Sequence, residues 1–224
     1  MKGTFRLLLA VFAATIVGCG GSGSGDDTSS GPRNSFPVKV APVAAAPFAC
    51  GDPGVSTQAV MQKLNAFWES SAIACACQAD AYAAGCTMNA FVTAQGYGYI
   101  FYDRNFLNGL DAANRSTLPG DFFMAHEFGH NIQLALGLNP PGKFKELQAD
   151  CLGGYYVGFQ QKSGQVSGPE VVRTFQFACS IGDPIASPWW APGAHGTCGE
   201  RVNAVQQGLN GYFAELLPGQ ACPV

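Results

Sequence analysis

The chain has 224 residues and a formal net charge of −3, and 12% of its residues are charged, about half of the usual roughly 25%. The negative balance argues against nucleic acid or anionic lipid as a partner. Because charges are so sparse, we expect packing and disulfide bonds, rather than ion-pair networks, to stabilise the fold.

The amino-terminal residues have the pattern of an export signal with a lipidation site. Two basic residues precede an apolar run at positions 7–17, which is too short for an ordinary membrane-spanning helix, and Gly18-Cys19 follows. We predict a signal peptide at 1–18 and a lipid anchor on Cys19, which begins a Gly/Ser-rich tether over 19–36. The glycine after Cys19 resembles lipoproteins that are sent to the outer membrane. A plain secretory signal with a free cysteine is the alternative.

Residues 37–224 have the length of one domain with room for a core. Apolar residues at helical spacing predict a first helix over 57–74. The segment 89–102 is rich in aromatic and β-branched residues between glycines, which predicts a strand or hairpin. Helical patterns return over 170–179 and 197–213. We therefore predict an α+β fold that is mostly helical and has a small β-sheet.

The segment His126-Glu127-Phe128-Gly129-His130 carries the most specific pattern. On a helix, positions i and i+4 share one face, so His126 and His130 can direct two imidazole nitrogens at one metal ion. Glu127 lies about 100° further round the helix and can act as a general base beside the ion. A Pro-Gly turn before Asp121 and helix breakers after residue 136 predict that this helix covers 121–136, with Asp121 as N-cap.

A second helix, expected to begin near Lys143, would carry the rest of the site. Glu146 is the predicted third ligand, because two histidines and a glutamate form one of the known ligand sets of catalytic zinc. Asp150, one turn later, is the predicted hydrogen-bond partner of His126. The alternatives are a chance HExxH on an amphipathic helix and a solvated Glu146 beside lysines. Two of only three histidines fall in the motif, which favours a zinc site.

Three stretches resemble the neutral zinc metallopeptidase family that is widespread in bacteria: HEFGHNIQ (126–133), ELQADCLG (146–153) and HGTCGER (195–201). More distantly they are similar to HtpX-type peptidases and thermolysin-like zincins. The resemblance implies a zincin fold, and it assigns the zinc ligands, the base and the supporting aspartate to the same residues as the spacing does. In the resembling peptidases an edge strand that can pair with a peptide backbone lies at 89–102, although simple sheet core is the alternative.

His195, the third histidine, lies in a loop rich in turn-forming residues. We expect it either to donate a hydrogen bond to the oxyanion or to occupy the fourth metal position as a gate. Arg201 could support either role. A surface histidine and an arginine in a structural salt bridge are the alternatives.

Nine cysteines are present, and eight remain when Cys19 is set aside. An even number in an exported chain predicts disulfide bonds, but eight cysteines allow 105 pairings. We expect only that Cys50 pairs with Cys222 and ties the two ends together. Cys198 indicates a local disulfide, whereas Cys151 could be a buried thiol. Metal ligation is disfavoured, because the Cys-Ala-Cys at 75–77 lacks the usual spacing and a second pair.

Two functions follow from these patterns. The first is a zinc-dependent peptidase that is anchored by lipid at the cell envelope and hydrolyses protein or peptide substrates there. The second is a non-catalytic binding or assembly lipoprotein that keeps the same fold. Glu127 favours the first function, because a non-catalytic descendant has no need of a base beside its metal.

Overall fold

The computed structural model describes residues 39–114, 116–191 and 193–223, so the predicted signal peptide, lipidation site and tether lie outside the described residues. The described chain forms eight α-helices, a π-helical segment (Tyr82–Cys86), a 3₁₀ helix (Ala94–Gly96) and four strands. The helices are α1 (Gly54–Trp68), α2 (Ala79–Ala81), α3 (Arg104–Asn114), α4 (Leu118–Ala135), α5 (Lys143–Lys162), α6 (Gly168–Ser180), α7 (Cys198–Phe213) and α8 (Pro218–Ala221). The strands are β1 (Cys50–Gly51), β2 (Ile73–Cys77), β3 (Ala90–Phe91) and β4 (Tyr99–Tyr102). None of the described helices combines the length and the apolar character that a bilayer crossing requires.

The four strands form one mixed sheet in the order β1-β2-β4-β3. The central strands β2 and β4 run parallel, with Ala74 opposite Ile100, while β1 and β3 run antiparallel at the two edges. The segment 89–102 therefore forms the predicted hairpin, because the connection over residues 92–98, which includes a 3₁₀ turn, brings β3 antiparallel to β4. The α+β fold class, mostly helical with a small sheet, is confirmed.

Helix α4 lies at the centre of the molecule, where it contacts the sheet on one side and packs on α5 on the other. The approach to α5 is close, because a Cβ atom on Gly129 would lie only 3.0 Å from the Cα atom of Ala149. Asn131 connects α4 to the sheet, since its Oδ1 atom accepts a hydrogen bond of 2.5 Å from the amide of Gly98 at the start of β4. These contacts fix α4 between the sheet and α5.

Aromatic side chains fill the space between α1 and the α4–α5 pair. The ring of Phe67 lies 5.3 Å from that of Tyr156, and the ring of Trp68 lies 6.5 Å from that of Phe128. These four residues are buried. Because the burial of one such side chain contributes about 1.5–3 kcal/mol, the cluster is a main source of stability in a chain with few charges.

The predicted helix boundaries are partly wrong. Helix α4 begins at Leu118 rather than at Asp121, because Pro119 occupies the first turn, where its missing N–H costs nothing. The first helix covers Gly54–Trp68 rather than 57–74, because Glu69 adopts a left-handed backbone conformation that ends it. The predicted helices near Lys143, over 170–179 and over 197–213 are confirmed as α5, α6 and α7.

Four disulfide bonds are present in the described chain: Cys50–Cys75, Cys77–Cys86, Cys151–Cys222 and Cys179–Cys198. The predicted pairing of Cys50 with Cys222 is wrong, because Cys50 lies on β1 next to β2, while Cys222 follows α8, which packs on α5. The local disulfide of Cys198 is confirmed, and Cys151 is not a free thiol. Four disulfide bonds indicate an oxidising, exported environment.

Two carboxyl groups lie near the start of α4, outside the HExxH segment at 126–130. Asp121 is buried and accepts a hydrogen bond of 3.2 Å from the side-chain amide of Gln160. Asp111 has a buried oxygen with no hydrogen-bond partner in the described chain. Burial raises the pKa of Asp121 to about 6 against the opposing effects of Gln160 and Lys63, and burial with the charge of Asp121 raises the pKa of Asp111 to about 6.

We expect Asp121→Asn to increase the free energy of unfolding at pH 7.5 by about 2 kcal/mol. The pKa of Asp121 is higher in the folded state than its usual 3.8. The stability that the protonated carboxyl contributes is therefore complete below about pH 4 and is lost as the pH rises through about 6. Urea denaturation should show the gain at pH 7.5 and almost none at pH 3. Glu69→Gln, which neutralises an exposed carboxylate, is the control, and an equal gain at both pH values would contradict the assignment.

Candidate metal centre

The structure brings together the three residues that were predicted to bind metal. The Nε2 atoms of His126 and His130, one turn apart on α4, each lie 3.2 Å from Oε2 of Glu146 on α5. All three ligand atoms lie within 4.8 Å of one another. The Glu146 side chain is only 13% exposed, so it is not the solvated charge of the alternative interpretation.

Each imidazole ring is held by a side chain at its other nitrogen. Nδ1 of His126 lies 2.8 Å from Oδ1 of Asp150, as the spacing predicted. Nδ1 of His130 lies 2.8 Å from Oε1 of Gln133, a residue that sequence analysis had not assigned to the site. Gln133 follows His130 by three positions on the same helix, and this i, i+3 spacing is the signal that could have identified it.

The donor set fits a zinc ion. When each Nδ1–H donates to its oxygen partner, each Nε2 atom carries a lone pair. Both lone pairs then point toward the carboxylate of Glu146, and acceptors that converge in this way at buried and half-buried positions favour a cation between them. Two imidazole nitrogens and one carboxylate are a ligand set that catalytic zinc uses.

The electrostatics of the site favour positive charge at the same place. Burial lowers the pKa of His126, but hydrogen bonding to Asp150 and Glu146 outweighs burial and raises this pKa to about 10. Burial raises the pKa of Glu146, but its hydrogen bonds with His126 and His130 outweigh burial and hold the pKa well below the usual range. A proton or a metal ion between the rings and Glu146 is therefore strongly stabilised.

Glu127 is a further buried carboxylate beside these residues. Its side chain is buried, and its Oε2 atom has no hydrogen-bond partner among the described residues. Burial raises the pKa of Glu127 above its usual range, although the nearby His130 and His126 oppose this effect. A buried carboxylate that carries no structural hydrogen bond at this oxygen is ready to accept a proton from a ligand in the cleft.

Arg201 lies behind the metal ligands. Its Nε and one terminal nitrogen each donate a hydrogen bond of 2.8 Å to Asp150, one to each carboxylate oxygen, and the other terminal nitrogen donates to the carbonyl of Ile181. Both Arg201 and Asp150 are buried. The contact is the ion pair that sequence analysis gave as the alternative, so Arg201 acts on the site through Asp150.

The three ligands and Glu127 line a cleft of about 560 Å³. One wall is the segment 88–92, which contains edge strand β3, and the other walls come from α4, the start of α5 and the segment that precedes α7. His195 lies at the rim with a half-exposed side chain, and its Nδ1 atom is 3.8 Å from Oδ1 of Asp183. Asp183 also accepts hydrogen bonds from the backbone amides of His195 and Gly196, which fixes this part of the loop.

Comparisons with protein-family models, with curated proteins and with solved structures find no match to this chain. The functional assignment therefore depends on the residues themselves. A group formed by His126, His130 and Glu146 that could hold a metal ion is present at the base of the cleft, with a buried carboxylate beside it.

Proposed function

We propose that this protein is a zinc-dependent peptidase that hydrolyses peptide bonds in proteins or peptides at the cell envelope. The observation that carries the proposal is the free Glu127 carboxylate beside the three converging ligand side chains. A structural zinc site is closed by four protein ligands and needs no base, whereas a catalytic site keeps three ligands and an open position. The set of three ligands with an adjacent carboxylate favours catalysis.

Three residues of the site would hold the metal ion, and Glu127 would transfer the proton. A zinc ion on His126, His130 and Glu146 would lower the pKa of water toward about 7 and polarise the carbonyl of the substrate. Glu127 accepts the proton of the attacking water and donates it to the departing amine, which leaves a carboxylate and a free amine as products. A carboxyl whose pKa is raised by burial suits both transfers.

Edge strand β3 supports a polypeptide as the substrate. One side of β3 pairs with β4, its other side has no strand partner in the described part of the chain, and the segment around it lines the cleft. An extended peptide can add to such an edge through main-chain hydrogen bonds. Because those bonds do not depend on side chains, we expect broad selectivity at this wall.

His195 keeps its two proposed roles, as a donor to the oxyanion or as a gate on the fourth metal position. Its place at the cleft rim and its half-exposed ring suit a residue that contacts substrate. Membership of the neutral zinc metallopeptidase family and a zincin fold are proposals that the three resembling stretches at 126–133, 146–153 and 195–201 support. The lipid on Cys19 and an outer-membrane location remain predictions from the leader sequence.

Metal removal tests the proposed function. We expect the purified, oxidised protein to contain one zinc ion per chain and to cleave an unstructured protein. Treatment with a zinc chelator should abolish cleavage, and addition of zinc after removal of the chelator should restore it. Zinc measured by atomic absorption, together with cleavage followed by mass spectrometry, gives both readouts. Stoichiometric zinc without cleavage of any of a broad set of unstructured proteins would favour the binding or assembly lipoprotein instead.

A further inference from the structure

A chain of side-chain hydrogen bonds leads from the metal site to a disulfide bond. Nδ1 of His130 lies 2.8 Å from Oε1 of Gln133, whose amide nitrogen donates to Oε1 of Gln148 over 3.0 Å. The amide nitrogen of Gln148 in turn donates to the backbone carbonyl of Cys222 over 3.1 Å. Cys222 forms the disulfide bond with Cys151. Two glutamines therefore connect a predicted zinc ligand to a covalent cross-link.

Backbone carbonyls determine which group donates and which accepts in each hydrogen bond between Cys222 and His130. The carbonyl of Cys222 can only accept, so Gln148 must direct its NH₂ group at Cys222 and its oxygen at Gln133. Gln133 must then direct its NH₂ group at Gln148, where it also donates to the carbonyl of Lys145 over 2.8 Å. The side-chain oxygen of Gln133 is therefore the atom that forms the hydrogen bond with Nδ1 of His130.

The tautomer of His130 follows from this order. Because Gln133 presents an acceptor, Nδ1 of His130 must carry the proton, and Nε2 keeps the lone pair that binds metal. Both glutamines are buried, so an amide turned the other way would leave buried acceptors facing acceptors without a donor between them. The order of donors and acceptors that the carbonyl of Cys222 imposes therefore extends through both glutamines to His130.

The same disulfide bond also lies beside the support of the other histidine. Cys151 directly follows Asp150, whose carboxylate holds Nδ1 of His126. Cys222 is held against α5 by the disulfide bond and in its backbone by a hydrogen bond of 2.8 Å to the carbonyl of Pro218. One cross-link thus lies next to the groups that orient both imidazole rings.

We infer that the Cys151–Cys222 disulfide, acting through Gln148 and Gln133, sets the metal affinity of the site and makes it sensitive to reduction. This inference rests on the proposed metal site. A dithiol reductant converts the disulfide to two thiols and is itself oxidised to a disulfide. The carbonyl of Cys222 is then no longer held against Gln148, the order of donors is lost, and His130 no longer presents Nε2 in one fixed tautomer. Gln133 and Gln148 are positioning residues.

Zinc binding by the full-length, oxidised protein tests this inference directly, with zinc alone as the probe and a chromophoric chelator as competitor. We expect Gln148→Met, which keeps the disulfide, and Cys151→Ala/Cys222→Ala, which removes it, each to weaken zinc binding about 10–100-fold. The visible absorption of bound Co²⁺ should change in both variants. Cys50→Ala/Cys75→Ala, which removes a disulfide in the sheet, is the matched control and should bind zinc within about twofold of wild type.

The outcomes separate the two proposals. Wild-type affinity in Gln148→Met overturns the role of the glutamine chain, and so does a folded Cys151→Ala/Cys222→Ala protein, checked by circular dichroism, that binds zinc as the control does. If the double cysteine variant does not fold, Gln148→Met decides alone. A wild-type protein that binds no zinc overturns the proposed function itself, whereas zinc binding that is insensitive to these variants overturns only the inference.

Discussion

Glu127→Gln is expected to lower kcat for peptide hydrolysis by about 10²–10⁴-fold, the contribution of a general base, while zinc binding is unchanged. The substitution keeps the shape of the side chain, but the amide cannot accept the proton of the attacking water. Because Glu127 is not among the three grouped ligand residues, its neutralisation should leave them in place. Steady-state cleavage of an unstructured protein and zinc content of the same preparation give the two readouts.

The control for this variant is Glu215→Gln. Glu215 is exposed and pairs with Lys162 on the surface, so its neutralisation should leave turnover unchanged. Wild-type turnover in Glu127→Gln would remove Glu127 from the role of base. Loss of zinc together with turnover would instead show that Glu127 helps to bind the metal, and the assignment of three ligands would need revision.

Arg201→Met is expected to lower the free energy of unfolding by about 3–5 kcal/mol, because it leaves the buried carboxylate of Asp150 without its main counter-charge. Asp150 has no exposed surface, and both of its oxygens accept from Arg201. Only His126 would remain as a partner. Chemical denaturation at neutral pH measures this loss, and zinc affinity should also fall because Asp150 no longer has a fixed position.

A double variant separates stability from metal binding. Asp150→Leu/Arg201→Met removes both charges, so we expect it to be more stable than Arg201→Met alone. It should still bind zinc poorly, because His126 loses its Nδ1 partner. The surface variant Lys162→Met, which breaks the exposed pair with Glu215, should cost much less than Arg201→Met. Equal losses in the two single variants would contradict the importance of burial.

The grouping of His126, His130 and Glu146 could be predicted because their arrangement is local. The i, i+4 spacing of His126 and His130 depends only on helix geometry, and Glu146 follows after a short segment of helix breakers. The partner of His126 was also visible as a residue one turn after Glu146. Helical periodicity thus sufficed for His126, His130, Glu146 and Asp150.

Features that depend on packing between distant segments could not be predicted. The hydrogen bond between Gln133 and Gln148 requires the close approach of α4 and α5 that Gly129 allows, and no periodicity shows this contact. The pairing of Cys222 with Cys151 depends on where α8 packs. The interpretation of Pro119 and Gly120 as a turn failed for another reason, because both residues are also tolerated in the first turn of a helix.

The separation of 71 residues between Cys151 and Cys222 has a consequence for when the proposed activity could begin. In a chain that is exported with its amino terminus first, the helix that carries His126 and His130 crosses the membrane well before Cys222 does. The cross-link that supports the metal site would then form only after the later residues have arrived in an oxidising compartment. A peptidase assembled in this order would stay latent in the cytoplasm and protect the proteins of the cell that makes it.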